Sequence, residues 1–147
     1  MKALIDTNVL LDTLLERKPF HRESDRIFDL VSEGKIDGCV SIQSLKDVFY
    51  FCKKTHGEDI SFGAVEKLSL LFEIIDVSSL DSVSALMSDV CDYEDGLLLF
   101  SAQRNNVEAI ITKNTKDFFE SGILVIHPHE IDKYLENPYE VGSIEIE

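Results

Sequence analysis

Short apolar runs alternate with longer amphipathic stretches along most of the chain. Brief apolar runs that end in polar turn residues are typical of buried strands, whereas apolar positions three or four residues apart indicate helices. Strands that alternate with helices favour a parallel sheet covered on both faces. The pattern therefore predicts an α/β fold, a three-layer α/β/α arrangement with a mostly parallel sheet of about five strands. The predicted strands are Ala3–Ile5, Gly38–Ser41, Glu73–Val77, Ala109–Thr112 and Ile123–Ile126.

In the segments between these strands, apolar residues recur at helical spacing. The predicted helices cover residues 8–16, 20–32, 42–54, 62–72, 80–90, 94–105 and 128–136, and a polar loop follows the fourth strand at 113–117. Pro19 separates the first two helices, because proline restricts the residue before it and rarely continues a helix. We expect one domain over residues 1–136 and an acidic tail over residues 137–147.

The composition narrows the class of protein. The chain has 147 residues, of which 44% are hydrophobic, so one globular domain can bury a sizeable core. No apolar run approaches the roughly 20 residues of a membrane-spanning helix, and the N-terminus lacks a secretory pattern. We therefore expect a cytoplasmic protein without a membrane partner. Cys39, Cys52 and Cys91 are widely spaced and odd in number, which argues against a disulfide framework or a thiolate zinc site.

The four histidines form no ligand-spaced cluster in the sequence. His127 and His129 flank Pro128, and this pattern is typical of a turn before a helix. We therefore expect the pair to belong to the turn that begins the last helix.

The net charge is strongly negative, because 28 acidic residues face 14 basic ones, which gives −14 at pH 7. A field of that sign repels nucleic acid at long range, so the chain has no basic footprint of a DNA or RNA binder. Divalent cations held by clustered carboxylates can nevertheless invert the sign locally. The charge therefore does not exclude a nucleic-acid partner.

Carboxylates recur near the ends of the predicted strands. Asp6 follows the first strand, Asp117 follows the fourth, and Asp95 lies in the first turn of the helix leading into the fourth. Each alone is also explained by a turn, a cap or the helix dipole, which favours a carboxylate by about 0.3–1 kcal/mol. In such sheets, ligands bind beyond the carboxyl ends of the strands, where clustered carboxylates repel unless cations neutralise them. Together the three predict a site for a hard divalent ion, suited to phosphoryl chemistry.

Three motifs, in this order, resemble those of PIN-domain proteins: Leu4–Asn8, Asp92–Leu98 and Ala109–Phe118. The resemblance covers roughly residues 2–135, and within the family the chain is most similar to the small prokaryotic single-domain branch that includes VapC-type toxins. It implies a metal-dependent endoribonuclease with Mg²⁺ or Mn²⁺ as cofactor, acting as the toxin of a type II toxin–antitoxin pair. The expected products carry 5′-phosphate and 3′-hydroxyl ends.

The resemblance also assigns roles to residues. The implied metal ligands are Asp6, Asp95 and Asp117, and the supporting residues are Asn8, Asp92, Glu94, Thr112 and Asn114. The family's remaining catalytic acid, usually a Glu in the third helix, matches Asp47, which is one methylene shorter. Asp47 also lies opposite the apolar stripe of that helix, so its position fits a catalytic acid and a solvated residue equally.

Four further residues are candidates for RNA binding. Lys113 and Lys116 flank the predicted site, and Lys113 replaces a usual Arg, which keeps the charge but loses bidentate phosphate geometry. Tyr50 and Lys54 lie one and two turns beyond Asp47, where an ordinary solvated helix face is the alternative. Gly96 replaces a usual Ala, which predicts a looser start of its helix.

Two other functions compete with this interpretation. An aspartyl-nucleophile phosphatase also has an Asp after its first strand, but it needs a second Asp where this chain has Asn8. A catalytically idle PIN fold that binds proteins is the stronger alternative, favoured by the net charge and by Asp47. The retained acids oppose it, because such a cluster without a metal costs stability.

The resemblance implies three partners. They are an RNA substrate, a second copy of the chain in a homodimer, and a small cognate antitoxin that inserts a segment into the acidic groove. An Arg or Lys from the antitoxin would neutralise the same carboxylates that bind the metal.

Overall fold

The computed structural model describes residues 1–139 and alternates strands with helices, as the hydrophobic pattern predicts. The strands are β1 (Lys2–Ile5), β2 (Asp37–Ser41), β3 (Glu73–Ile75), β4 (Ala109–Ile111) and β5 (Leu124–Ile126). The helices are α1 (Thr7–Leu14), α2 (His21–Ser32), α3 (Ile42–His56), α4 (Glu58–Leu71), α5 (Ser79–Met87), α6 (Tyr93–Arg104) and α7 (Ile131–Glu136). Two 3₁₀ turns, Thr115–Phe118 and Pro128–Glu130, flank β5.

The five strands of the described region form one sheet in the order β3-β2-β1-β4-β5, and every pairing is parallel. β1 lies at the centre, with Leu4 opposite Cys39 of β2 and Ile110 of β4. Central strands that are apolar at successive positions suit a sheet covered on both faces. The predicted parallel sheet of about five strands is therefore confirmed.

Alternate residues of the central strands supply two apolar cores, one on each face of the sheet. Ala3 and Ile5 pack in a core completed by residues of α1, α2, α3, α4 and α7. Leu4 points the other way and packs in a core with Leu99 of α6 and Phe118. Because side chains of a strand alternate between faces, this division produces the predicted α/β/α layers.

Some boundaries differ from the prediction. α4 begins at Glu58 rather than near residue 62, because Gly57, with φ of +89°, ends α3 and acidic residues fill the next first turn. The predicted polar loop after β4 contains a 3₁₀ turn, which the buried Phe118 anchors in the core. The last helix begins as a 3₁₀ turn at Pro128. Residues 140–147 of the predicted acidic tail lie outside the described residues.

Among the residues that the structure describes, no helix is both long and apolar enough to cross a membrane.

Helices α5 and α6 approach each other closely at Gly96. A Cβ atom on Gly96 would lie 2.8 Å from Cβ of Ala85 and 3.2 Å from its Cα. A contact of 2.8 Å is too short for two carbon atoms, and the Ala85 Cα belongs to the backbone, so one helix would have to move. The sequence analysis expected Gly96 to loosen the start of α6. The structure shows that a residue without Cβ is needed there for α5 and α6 to pack.

We expect Gly96→Ala to lower the free energy of unfolding by about 1–3 kcal/mol through overpacking, although alanine has the better helix propensity. Gly63→Ala within α4 is the matched control, because a Cβ there meets nothing within 4 Å. It should stabilise the protein by up to about 1 kcal/mol. Urea denaturation followed by circular dichroism measures both changes. A Gly96→Ala variant as stable as Gly63→Ala would contradict the packing argument.

Candidate metal centre

Asp6 follows β1 directly and caps the N-terminus of α1. Its Oδ1 accepts a hydrogen bond from the Thr7 backbone N–H at 2.7 Å. Its Oδ2 accepts hydrogen bonds from the Thr112 hydroxyl at 2.7 Å and from the Asn8 amide at 3.2 Å. Three donors from the ends of two strands therefore hold this carboxylate in one orientation.

Asn8 and Thr112, both predicted as supporting residues, join the loops that follow β1 and β4. The Asn8 amide nitrogen lies 3.4 Å from the Thr112 hydroxyl oxygen, and its carbonyl oxygen accepts the Lys113 N–H at 3.3 Å. The Thr112 hydroxyl oxygen also accepts the Asn114 N–H at 3.1 Å. These contacts fix the two loops against each other directly beside Asp6.

Asp95 lies in the first turn of α6, where the Asp92 cap accepts its backbone N–H at 2.9 Å. Partial burial, followed by the negative charges of Asp92 and Asp117, raises the pKa of Asp95 to about 7. The charge of Asp6 acts in the same direction. The three predicted metal ligands are therefore close enough to influence one another's ionisation, with Asp117 contributing from the exposed 3₁₀ turn after β4.

Burial also raises the pKa of Asp6, although the hydrogen bonds from Thr112 and Thr7 oppose this effect. Carboxylates that disfavour one another's charge form an environment that a bound cation relieves. The available donors are carboxylate, hydroxyl and amide oxygens, which hard divalent ions such as Mg²⁺ and Mn²⁺ prefer. The donor set thus fits the type of ion predicted from the sequence.

A cleft of about 580 Å³ opens beside these carboxylates, and Asp6, Asp47 and Asp95 line it together. Asp47 is half-buried and lies 3.5 Å from the ammonium of Lys46. The sequence allowed Asp47 to be either a catalytic acid or a solvated residue. Its position in the cleft is one that a catalytic acid requires. Glu94 and Asn114, two of the predicted supporting residues, also line the cleft.

The predicted RNA-binding residues are distributed differently from the carboxylates. Tyr50 and Lys54 are exposed on α3 but are not among the residues that line the cleft, and Lys116 is exposed in the 3₁₀ turn. Within the described residues, the basic side chains that line the cleft are Arg17 and Lys46. Sequence reasoning missed both. Lys46 could have been found as the neighbour of Asp47, whereas Arg17 reaches the cleft only through the fold of the α1–α2 connection.

Lys113 forms an ion pair with the carboxylate of Asp12, and its ammonium lies 4.4 Å from the centroid of the Phe20 ring. Asp12 is fully buried, and neither of its oxygens receives a hydrogen bond of good geometry. The ammonium of Lys113 is therefore what balances this buried charge. Sequence reasoning did not select Asp12, because a carboxylate in an amphipathic helix is usually solvated.

We compared the chain with families of known proteins. A family model described as PIN domain matches residues 2–116. The chain belongs to the PIN-domain family. The predicted resemblance is confirmed, and the matched PIN region includes Asp6, Asp47 and Asp95 and ends one residue before Asp117. No functionally curated protein matches the chain.

Solved structures are similar to this PIN domain over most of its length. A toxin–antitoxin complex from Klebsiella pneumoniae is 28% identical, with a TM-score of 0.64, and the match covers 86% of this chain and 97% of that one. DNA-bound VapBC from Salmonella typhimurium is 20% identical, with a TM-score of 0.65 and coverage of 87% and 98%. A VapC toxin of Mycobacterium tuberculosis that cleaves the sarcin-ricin loop is 12% identical, with a TM-score of 0.63 and coverage of 82% and 95%. The last two show similarity of fold alone.

We expect Lys113→Ala to lower the free energy of unfolding by about 3–5 kcal/mol, because it leaves the Asp12 carboxylate buried and unpaired. Lys116→Ala is the matched control on the same loop and should change stability by no more than about 0.5 kcal/mol. Combining Asp12→Leu with Lys113→Met should recover most of the loss. Urea denaturation provides the measurement, and equal small losses for the two single lysine variants would contradict a buried ion pair.

We expect the stability of the metal-free PIN domain to fall with rising pH because of Asp95. The ordinary pKa of its carboxyl group is 3.8, and in the folded protein the pKa is about 7. The unfolded chain therefore releases this proton first, so the penalty grows as the pH rises from 3.8 to about 7 and is complete above that. In a chelator, Asp95→Asn should raise the melting temperature more at about pH 8 than at about pH 4. A difference independent of pH would mean that Asp95 ionises normally.

Proposed function

We propose that this PIN-domain protein is a Mg²⁺- or Mn²⁺-dependent endoribonuclease that acts as the toxin of a type II toxin–antitoxin pair. The observation that carries the proposal is that Asp95 lies close enough to Asp117 and Asp6 for their charges to act on it. Partial burial and the charge of Asp92, followed by those of Asp117 and Asp6, raise the pKa of Asp95 to about 7. A turn or a helix cap needs one carboxylate, whereas a group of mutually repelling carboxylates in a cleft suits a functional site.

In this proposal Asp6, Asp95 and Asp117 hold the metal, and the fourth acid is Asp47, which lines the cleft together with Asp6 and Asp95. A bound divalent ion lowers the pKa of water and polarises a phosphodiester, which are the requirements of phosphate hydrolysis. The chain itself keeps the Asp6 carboxylate oriented through Thr112 and the neighbouring donors, so little reorganisation is needed when substrate binds.

Substrate contacts in this proposal come from the basic residues of the cleft wall. Arg17 and Lys46 line the cleft together with four acidic residues. Charged donors of this kind bind phosphate oxygens strongly, and arginine can do so with two parallel hydrogen bonds. We infer that these two side chains contact the phosphates next to the scissile bond, in addition to the exposed Lys116.

Protein partners form a further part of the proposal. The similar Klebsiella structure is a toxin–antitoxin complex, and the match covers 97% of that chain, which supports an antitoxin partner here. Leu80, Val83, Leu86 and Met87 of α5 are each more than half exposed. A contiguous group of exposed apolar residues favours a protein contact, which supports the expected homodimer.

The decisive experiment compares cleavage of a mixed, structured RNA pool by the wild type and by Asp95→Asn, purified in parallel, with and without Mn²⁺. We expect cleavage only with the metal, and a loss on the order of a hundredfold or more in Asp95→Asn. Asp59→Asn is the matched control, because Asp59 is an exposed acid in the first turn of α4. It should cleave like the wild type.

Other outcomes separate the alternatives. Equal cleavage by wild type and Asp95→Asn would indicate a contaminating nuclease. If neither protein cleaves, melting temperatures in millimolar Mn²⁺ distinguish the remaining cases. Stabilisation of the wild type but not of Asp95→Asn would indicate an enzyme that needs a selected RNA, and no stabilisation of either would favour the idle protein-binding fold.

A further inference from the structure

His127 and His129 lie where the chain leaves β5, and they meet Glu23 from the first turn of α2. Each of the three residues offers one ligand atom, and these atoms all lie within 4.8 Å of one another. The sequence analysis expected a turn here, which is present as the 3₁₀ turn beginning at Pro128. Spacing along the sequence could not indicate this cluster, because Glu23 comes from a distant part of the chain.

The two imidazoles converge in a way that favours a shared cation. Their ring centroids are 4.1 Å apart, and the Nδ1 atoms of the two rings are in contact. The His127 Nδ1 also accepts the backbone N–H of His129 at 3.1 Å, which orients that ring. The contact can be satisfied by the proton of one imidazole or by a cation that both rings share.

The charges around the histidines also favour a cation. The Glu23 carboxylate belongs to the cluster, and a Glu130 carboxylate oxygen lies 3.8 Å from Nε2 of His129. Lys113 also lies near His127, but its ammonium is paired with Asp12. Two carboxylates, those of Glu23 and Glu130, lie close to the ring nitrogens of the pair.

We propose that Glu23, His127 and His129 form a second metal site that binds one Zn²⁺ ion. Imidazole nitrogen and carboxylate oxygen are common zinc ligands, and two histidines with one carboxylate leave a fourth position for water. Zinc–ligand distances of about 2.0–2.2 Å place tetrahedral ligand atoms roughly 3.3 Å apart. Small side-chain rotations would therefore separate the two ring nitrogens that are in contact and bring Glu23 closer to them. Mg²⁺ prefers oxygen ligands and waters, so the acidic cleft and this site differ in the ions they select.

A bound Zn²⁺ ion would join two elements that lie far apart in the sequence. Arg26 of α2 already forms an ion pair with Asp132 of α7, in which its Nη2 and Nε donate to Asp132 Oδ1 at 2.9 and 3.0 Å, but this pair is largely exposed. Exposed ion pairs stabilise a fold only weakly. The zinc site would therefore be the stronger link between the start of α2 and the turn before α7.

The test is calorimetric titration of the full, tag-free chain with Zn²⁺ in millimolar Mg²⁺, which occupies oxygen-ligand sites. We expect one equivalent of Zn²⁺ to bind the wild type and raise its melting temperature. Glu23→Gln and His129→Gln should each weaken binding on the order of tenfold or more. His56→Gln is the matched control, because His56 is exposed at the end of α3, and it should bind like the wild type.

Visible absorption of bound Co²⁺ is a second readout, and circular dichroism separates loss of the site from loss of the fold. Co²⁺ bound through nitrogen ligands should give visible absorption bands in the wild type and in His56→Gln, but not in His129→Gln, with circular dichroism showing that all three are folded. Equal Zn²⁺ affinity in all variants would overturn the proposal. Binding that survives His129→Gln but is lost in Asp95→Asn would overturn it too, because the ion would then belong to the acidic cleft. No RNA is involved, so this result is independent of the nuclease proposal.

Discussion

The pairing of β1 with β4 is the interaction on which the candidate site depends. Ile5 lies opposite Ile111, and the Asp6 N–H extends the ladder by donating to the Ile111 carbonyl at 3.0 Å. In this register Asp6 lies beside Thr112, although the two residues are 106 positions apart in the chain. Because the strands are parallel, both loops leave the same edge of the sheet. A slip of one residue would turn the side chains of β1 to the opposite faces and separate the two loops.

The fold offsets the cost of burying the carboxylate of Asp6 but not that of Asp95. Asp6 accepts hydrogen bonds from Thr7, Asn8 and Thr112, and these oppose the effect of its burial. Asp95 has no such compensation, because burial and the nearby Asp92 act together to disfavour its charge. The donors therefore hold Asp6 in one orientation, whereas within the described residues no hydrogen bond offsets the effects that disfavour the charge of Asp95.

Features encoded within short segments could be predicted from the sequence, and features that depend on distant contacts could not. The alternation of short apolar strands with amphipathic helices is a local pattern, and the parallel sheet followed from it. The positions of Asp6 after β1 and of Asp95 in the first turn of α6 are local in the same sense. The ion pair of Asp12 with Lys113 joins a helix to a remote loop, and no spacing indicates it. Gly96 illustrates the same limit: its helix propensity is visible in the sequence, but its contact with Ala85 is not.

A chain with a net charge of −14 needs a source of positive charge to act on RNA. Much of its positive charge is committed to internal ion pairs, as in Arg104 with Asp76 and Asp81, and in Lys113 with Asp12. In the cleft, Arg17 and Lys46 share the wall with Asp6, Asp47, Glu94 and Asp95, so its fixed charge is unfavourable for a phosphate. On the proposed function, the attraction has to come from cations held by its carboxylates. Binding of metal and of RNA would then be linked, each raising the affinity of the other by the same factor.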